Sequence, residues 1–138
     1  MIIADTGFWL ALANRSDQHH AAALRALEGL HEKLIATWPV MTETCHLLLA
    51  RLGVRAELTF LRGIRDGSCT VFPIADALIS RIEELMDQYA DLPMDLADAS
   101  LVVLAEELGD GRILSTDKRD FRAYRWKSRK PFRNLLLK

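Results

Sequence analysis

The chain holds only two cysteines among its 138 residues, Cys45 and Cys69. They are too few and too far apart for a zinc site, and their apolar surroundings read as reduced thiols of a core. No apolar run approaches the roughly 18 residues needed to cross a bilayer. The N-terminus lacks the basic segment and cleavage site of a signal peptide, so the expected setting is cytoplasmic, with no membrane association. Neither a GxGxxG nor a P-loop pattern occurs, which removes the common nucleotide cradles. No serine stands in a nucleophile-elbow context. Repeats, low-complexity stretches and linkers are also missing, so residues 1–138 read as a single domain. A net charge of −1 carries no overall electrostatic signal.

What is present is a globular composition, half of it hydrophobic, in which strand-like runs alternate with helix-length segments. Residues 1–5 read as a buried strand, followed by a short helix to Ala13 and a turn over Asn14–Asp17. A helix is expected from His19 to about Lys33, with Ala22, Ala23, Leu24, Leu27 and Leu30 inward. Leu34–Thr37 reads as the second strand and Pro39–Leu52 as a helix that Gly53 stops. Another helix spans about Arg55–Ile64, a third strand Cys69–Phe72, and a helix Asp76–Tyr89 with Leu78, Ile82, Leu85 and Met86 on one face. Pro93 precedes a helix that Gly109-Asp110-Gly111 ends. Arg112–Ser115 reads as the fourth strand, and Phe132–Leu137 or Arg122–Trp126 as a short edge strand. Such βα alternation with continuous apolar strands implies a parallel sheet covered on both faces.

Four acids interrupt these apolar segments. Asp5 ends the first strand and Asp117 follows the fourth. Glu43 lies near the start of the helix after the second strand. Asp98 lies near the start of the helix before the fourth, with Asp95 three residues earlier on the same face. In open α/β sheets ligands bind beyond the carboxyl ends of the strands, so the fold would bring all four acids to one edge. Carboxylates are costly to bury without a partner, and the partner suited to such a set is a hard divalent cation, Mg²⁺ or Mn²⁺. Taken singly, each has a simpler reading: Asp5 or Asp117 as a helix cap, Glu43 as a first-turn acid favoured by the helix dipole, Asp98 as the partner of an arginine.

The basic residues are unevenly placed. From Lys118 onward there are Lys118, Arg119, Arg122, Arg125, Lys127, Arg129, Lys130, Arg133 and Lys138, half of the chain's 18, against one acid, Asp120. A basic tail beside an acidic cluster suits a polyanion. Trp126 in that tail is the best candidate for stacking on a base, whereas Trp9 and Trp38 fall in apolar segments and read as core. His19 and His20 read as surface residues beside a turn, and His46 as a half-buried helix histidine.

The segments Ile3-Ala4-Asp5-Thr6-Gly7, Thr42-Glu43-Thr44, Asp95-Leu96-Ala97-Asp98-Ala99-Ser100 and Ser115-Thr116-Asp117-Lys118-Arg119-Asp120-Phe121, in this order and spacing, resemble PIN-domain proteins. The likeness is strongest to the ribonuclease toxins of VapBC-type toxin–antitoxin pairs and covers nearly the whole chain. It implies a three-layer α/β/α sandwich with a mostly parallel sheet of about five strands. It further implies that Asp5, Glu43, Asp98 and Asp117 are catalytic and hold Mg²⁺ or Mn²⁺, with Thr6 where the family often has a small hydroxyl residue near the metal. Asp120 either supports the site from behind or caps the following turn. Asp95, a candidate for the same supporting place, is an extra acid that many members lack, its role open. A metal-activated water would then cut RNA to leave a 5′-phosphate and a 3′-hydroxyl. Arg122, Arg125, Lys127 and Arg129 would hold the RNA backbone. An antitoxin partner and a homodimer are implied in the same way. Two other readings stand beside this one: a metal-dependent phosphatase or phosphoryl-transfer domain with Asp5 as nucleophile, and a non-catalytic RNA- or protein-binding module on the same fold.

Overall fold

The structure, a computed structural model, describes residues 1–137; Lys138 of the basic tail lies outside them. Strand β1 (Ile2–Ala4) leads through α1 (Thr6–Ala13) and α2 (His20–Glu28) to β2 (Leu34–Thr37). Helices α3 (Trp38–Leu52) and α4 (Val54–Arg65) then lead to β3 (Thr70–Phe72). A 3-10 turn at Asp76–Leu78 opens into α5 (Ile79–Gln88), and α6 (Leu96–Leu108) precedes β4 (Arg112–Leu114). The chain ends with α7 (Asp120–Ala123), β5 (Arg125–Trp126), β6 (Lys130–Pro131) and β7 (Arg133–Asn134).

Five strands form one parallel sheet in the order β3–β2–β1–β4–β7. Both β1 and β2 are buried throughout, as continuous apolar strands covered on two faces should be. The chain winds outward from β1 through β2 to β3, then returns past β1 to form β4. Right-handed crossovers therefore put the helices of the outward run and of the return on opposite faces, which gives the three-layer α/β/α sandwich. The strand order reverses at β1, and Ile3 pairs with Ile35 of β2 on one side and Ile113 of β4 on the other. This switch point is where an open α/β sheet has a crevice. Helix α6 is the central core helix, with eight residues between Ala97 and Ala105 buried. A helix apolar on all sides belongs inside a fold. Among the described residues no helix is long and apolar enough to cross a membrane.

Several details differ from the sequence expectations. The helix expected over His19–Lys33 is shorter, and Leu24 and Leu27 are 40% and 43% exposed rather than inward. Ala22 and Ala23 face inward as expected and Ala26 joins them, because small residues let α2 lie close to its neighbours; Leu30, also packed against the core, lies beyond the helix end. Both end-of-chain alternatives are used: Arg133–Asn134 completes the main sheet, while Arg125–Trp126 pairs with Lys130–Pro131 in a separate antiparallel hairpin. Cys69 is buried as expected, but Cys45 is only half-buried. Trp38 is 58% exposed and Trp126 only 6%, the reverse of the sequence reading. Trp38 opens α3 at the sheet edge, where no layer covers it, and Trp126 folds over Gly111 with its indole N–H donating to the Pro131 carbonyl. His46 is exposed, not half-buried.

Gly7 has a specific task in drawing the site together. A Cβ built there would stand 1.8 Å from the Thr116 hydroxyl oxygen and 3.0 Å from its Cβ. Only glycine lets α1 approach the segment after β4 so closely. Gly7→Ala is expected to destabilise the protein by about 1–3 kcal/mol, and adding Thr116→Ala should recover most of that. Urea denaturation of both variants checks this; equal stability of Gly7→Ala and the native chain would contradict the close approach.

Candidate active site

Asp5 follows β1 and caps α1: its Oδ1 accepts from the Thr6 amide at 2.7 Å. The cap is real, so the simple reading of Asp5 is half right, but the other oxygen has a different use. Oδ2 accepts from the Ser115 hydroxyl at 2.8 Å. That hydroxyl in turn accepts from the Asp117 amide at 2.9 Å. Ser115 thus joins the end of β1 to the loop after β4. It is itself clamped by Asn134 of β7, whose side-chain nitrogen donates to the Ser115 carbonyl at 2.8 Å and whose oxygen accepts from the Ser115 amide at 3.3 Å. Asp117 Oδ1 accepts from the Asp120 amide at 3.0 Å, which turns the chain into α7.

Asp98 stands in the first turn of α6. Asp95 caps that helix by accepting from the Asp98 amide at 2.8 Å, and Asp98 reaches back toward the Asp95 amide at 3.4 Å, a reciprocal capping box. The role of Asp95 is therefore at least to fix the helix start. Asp98 Oδ2 also accepts from the Tyr124 hydroxyl at 3.1 Å. Tyr124 is fully buried between Tyr89 and Phe121. Glu43, half-buried on α3, borders with Asp95 an open cleft of about 550 Å³.

The electrostatics show that these groups sense one another. Asp5 is 7% exposed, and burial pushes its carboxyl up to about 6, with the charges of Glu43 and Asp117 adding to the rise. Asp98 is pushed up to about 7, mainly by burial and then by Asp95 and Asp5, while the Tyr124 hydrogen bond opposes the rise. Asp117 is raised as well, first by burial; the Asp120 amide opposes the rise while the Asp120 carboxylate adds to it. Among the described residues no arginine pairs with any of the four; the arginine ion pairs lie with Glu32, Asp66, Glu84, Glu106, Asp110 and Asp120. The Thr6 hydroxyl beside Asp5 is buried without a hydrogen-bond partner. Also among the described residues, no three His, Cys, Asp or Glu side chains stand close enough to enclose an ion by themselves.

The basic residues are more scattered. Arg122 borders a cleft of about 200 Å³ next to α7. Arg125 donates to the carbonyls of Arg122, Ala123 and Tyr124, which closes the end of α7. Lys127 and Arg129 sit in the exposed turn between β5 and β6, where the Lys127 amide donates to Glu106 at 2.6 Å. Glu106 is eight residues beyond Asp98 on α6, about 12 Å of helix rise. Sequence reasoning missed Ser115, Asn134 and Tyr124 as site residues. Ser115 was within reach, because it lies in the Asp117 motif; Tyr124 and Asn134 carried no signal, since only the fold brings them to the acids.

The family model for the PIN domain matches residues 2–127. The chain belongs to the PIN-domain family. This PIN domain is 32% identical to Ribonuclease VapC26 of Mycobacterium tuberculosis over 124 residues, 90% of this chain and 92% of that protein. Its fold matches the crystal structure of VapC20 from the same organism, described as a sarcin-ricin loop cleaving toxin, with a TM-score of 0.79. That likeness covers 86% of this chain and 92% of the other at 24% identity, and it shows the shared fold.

The raised carboxyls link stability to pH. The folded value for Asp98 of about 7 lies above its ordinary 3.8, so between these values the folded state holds more protons than the unfolded one. Its contribution is present at low pH and is lost as pH rises through 7. Without metal, Asp98→Asn is expected to melt above the native chain at pH 7.5, with the gap closing toward pH 4. A gap independent of pH would contradict a raised Asp98.

Proposed function

We propose that this PIN domain is a divalent-metal-dependent endoribonuclease and the toxin of a type II toxin–antitoxin pair. The observation that carries the reading is the set of mutually repelling carboxylates at the switch point of the sheet, none of them, among the described residues, in an ion pair with an arginine. The ribonuclease name of its 32% identical relative supports it. Mg²⁺ or Mn²⁺ fits the donors: all are hard oxygens, and the buried Thr6 hydroxyl adds an unpartnered one. Mg²⁺ keeps several waters and takes only one or two carboxylates with the substrate's phosphate, so three side chains need not close on it beforehand. When bound, such an ion would acidify a water and stabilise the charge on the leaving oxygen.

The residues divide the work. Asp5, Glu43, Asp98 and Asp117 would hold the ion, which would displace the protons that burial favours on Asp5 and Asp98. Ser115 orients Asp5, and Tyr124 orients Asp98. Asp95 and Asp120 fix the turns that present Asp98 and Asp117. Arg122 beside α7 and the exposed Lys127 and Arg129 would take the RNA backbone, with Arg125 bracing α7. Phosphate contacts place a strand without reading its sequence. An antitoxin segment would lie in the apolar groove between α3 and α4, about 480 Å³ and bordered by Met41, Leu49 and Leu61. The exposed Leu24 and Leu27 of α2 would serve a homodimer.

Purified protein is expected to cut cellular RNA into discrete products with Mg²⁺ or Mn²⁺ and not with EDTA. Asp5→Asn should reduce the rate by more than about 100-fold while leaving the circular dichroism spectrum unchanged. Cleavage that survives EDTA, or a folded Asp5→Asn protein of full activity, would sink the reading. A folded protein with neither cleavage nor a metal-induced melting shift would be a binding module.

A further inference from the structure

Trp38 has no structural task that its surroundings explain. It is the first residue of α3 and 58% exposed, although an indole on a small domain is ordinarily covered. It forms one wall of the 550 Å³ cleft, with Pro39 and Thr42 beside it and Leu96, itself 50% exposed, also on the lining. The same cleft is bordered by Glu43, one of the four acids, and by Asp95, which caps the helix carrying Asp98. Trp38 precedes Glu43 by five residues on α3, about 7.5 Å of helix rise.

We propose that Trp38 is a base-stacking residue that seats one unpaired nucleobase of the RNA substrate next to the bond to be cut. The proposal rests on the endoribonuclease reading and adds to it a specificity-determining contact. The cleft is apolar at Trp38 and Leu96 and acidic at Glu43 and Asp95, so it suits a flat neutral ring and repels a phosphate without a counter-ion. Its volume lies within the range of small-ligand pockets, enough for a nucleoside. Aromatic stacking accepts any base, which makes the site a selector of unpaired over paired RNA. The groove on the α4 side of Trp38 is a second apolar surface, about 480 Å³, and the one left for a protein partner.

The test uses the full chain with Mg²⁺ and a short single-stranded oligoribonucleotide that it cleaves, compared with strands carrying one abasic nucleotide on either side of the cleaved bond. Trp38→Ala and Trp38→Leu are expected to lower kcat/KM roughly 5- to 150-fold, chiefly through KM, while Trp38→Phe stays near the native value. One abasic strand should be cut equally by the native chain and by Trp38→Ala. A second readout needs no cleavage. In an Asp98→Asn background the strand should quench tryptophan emission, because Trp9 and Trp126 are 7% and 6% exposed and Trp38 is the accessible indole; Trp38→Phe should abolish that quenching. Trp38→Ala and Trp38→Leu proteins that cut and bind as the native chain does would overturn the proposal and leave the nuclease reading standing, with Trp38 then belonging to a protein interface. A native chain that neither binds nor cuts any RNA would overturn both.

Discussion

The structure turns on the burial of Asp5 at the carboxyl end of the central strand. A charge 7% exposed is costly unless something compensates, and this one receives two hydrogen bonds and no arginine. Those two bonds, from the Thr6 amide and the Ser115 hydroxyl, tie the start of α1 to the end of β4. Gly7 permits the approach, and Asn134 on the edge strand fixes Ser115 from the other side. A short strand at the sheet margin thus governs the geometry of a carboxylate two strands away. The compensation is incomplete, since Asp5 and Asp98 both remain well above the ordinary carboxylate range. Stability has been spent at this edge, as is common where a protein binds or reacts.

The support for the site is also unequal on its two sides. Asp5 and Asp117 are linked through one serine, whereas Asp98 is held by its own helix cap and by a buried tyrosine. Glu43 comes from α3, the helix whose first residue is the exposed Trp38. Helix α3 therefore contributes to both the acidic edge and the apolar cleft, which meet at Glu43. A ligand with a charged backbone and flat neutral rings matches that combination better than a small phosphate ester would.

Much of this was legible in the sequence. The strand runs and the order of helices gave the α/β layering, because parallel strands buried on both faces must read as apolar blocks. The four acids stood out because each broke such a block. The errors share one cause. Trp38, Trp126, Leu24, Leu27 and His46 were placed by the polarity of their neighbours in sequence, and exposure depends on which layer lies over a residue. Trp126 lies in a basic stretch yet folds over Gly111; Trp38 lies in an apolar one yet sits at an uncovered edge. Tyr124 and Asn134 illustrate the same limit, since their partners are 26 and 19 residues away and no local pattern joins them. Among the basic residues, only geometry separates Arg125, which braces a helix end, from Lys127 and Arg129 in an open turn.

The central claim is that the raised carboxyls form one site for a divalent ion. The most direct test is titration calorimetry of Mn²⁺ into the metal-free protein at pH 6 in two buffers of different ionisation enthalpy, which counts the protons released. Ion binding must displace protons that Asp5 and Asp98 hold at that pH, so the account expects saturable binding with net proton release and weaker affinity as pH falls. Both should diminish in Asp98→Asn. Absence of binding, or binding with no proton release at pH 6, would contradict it.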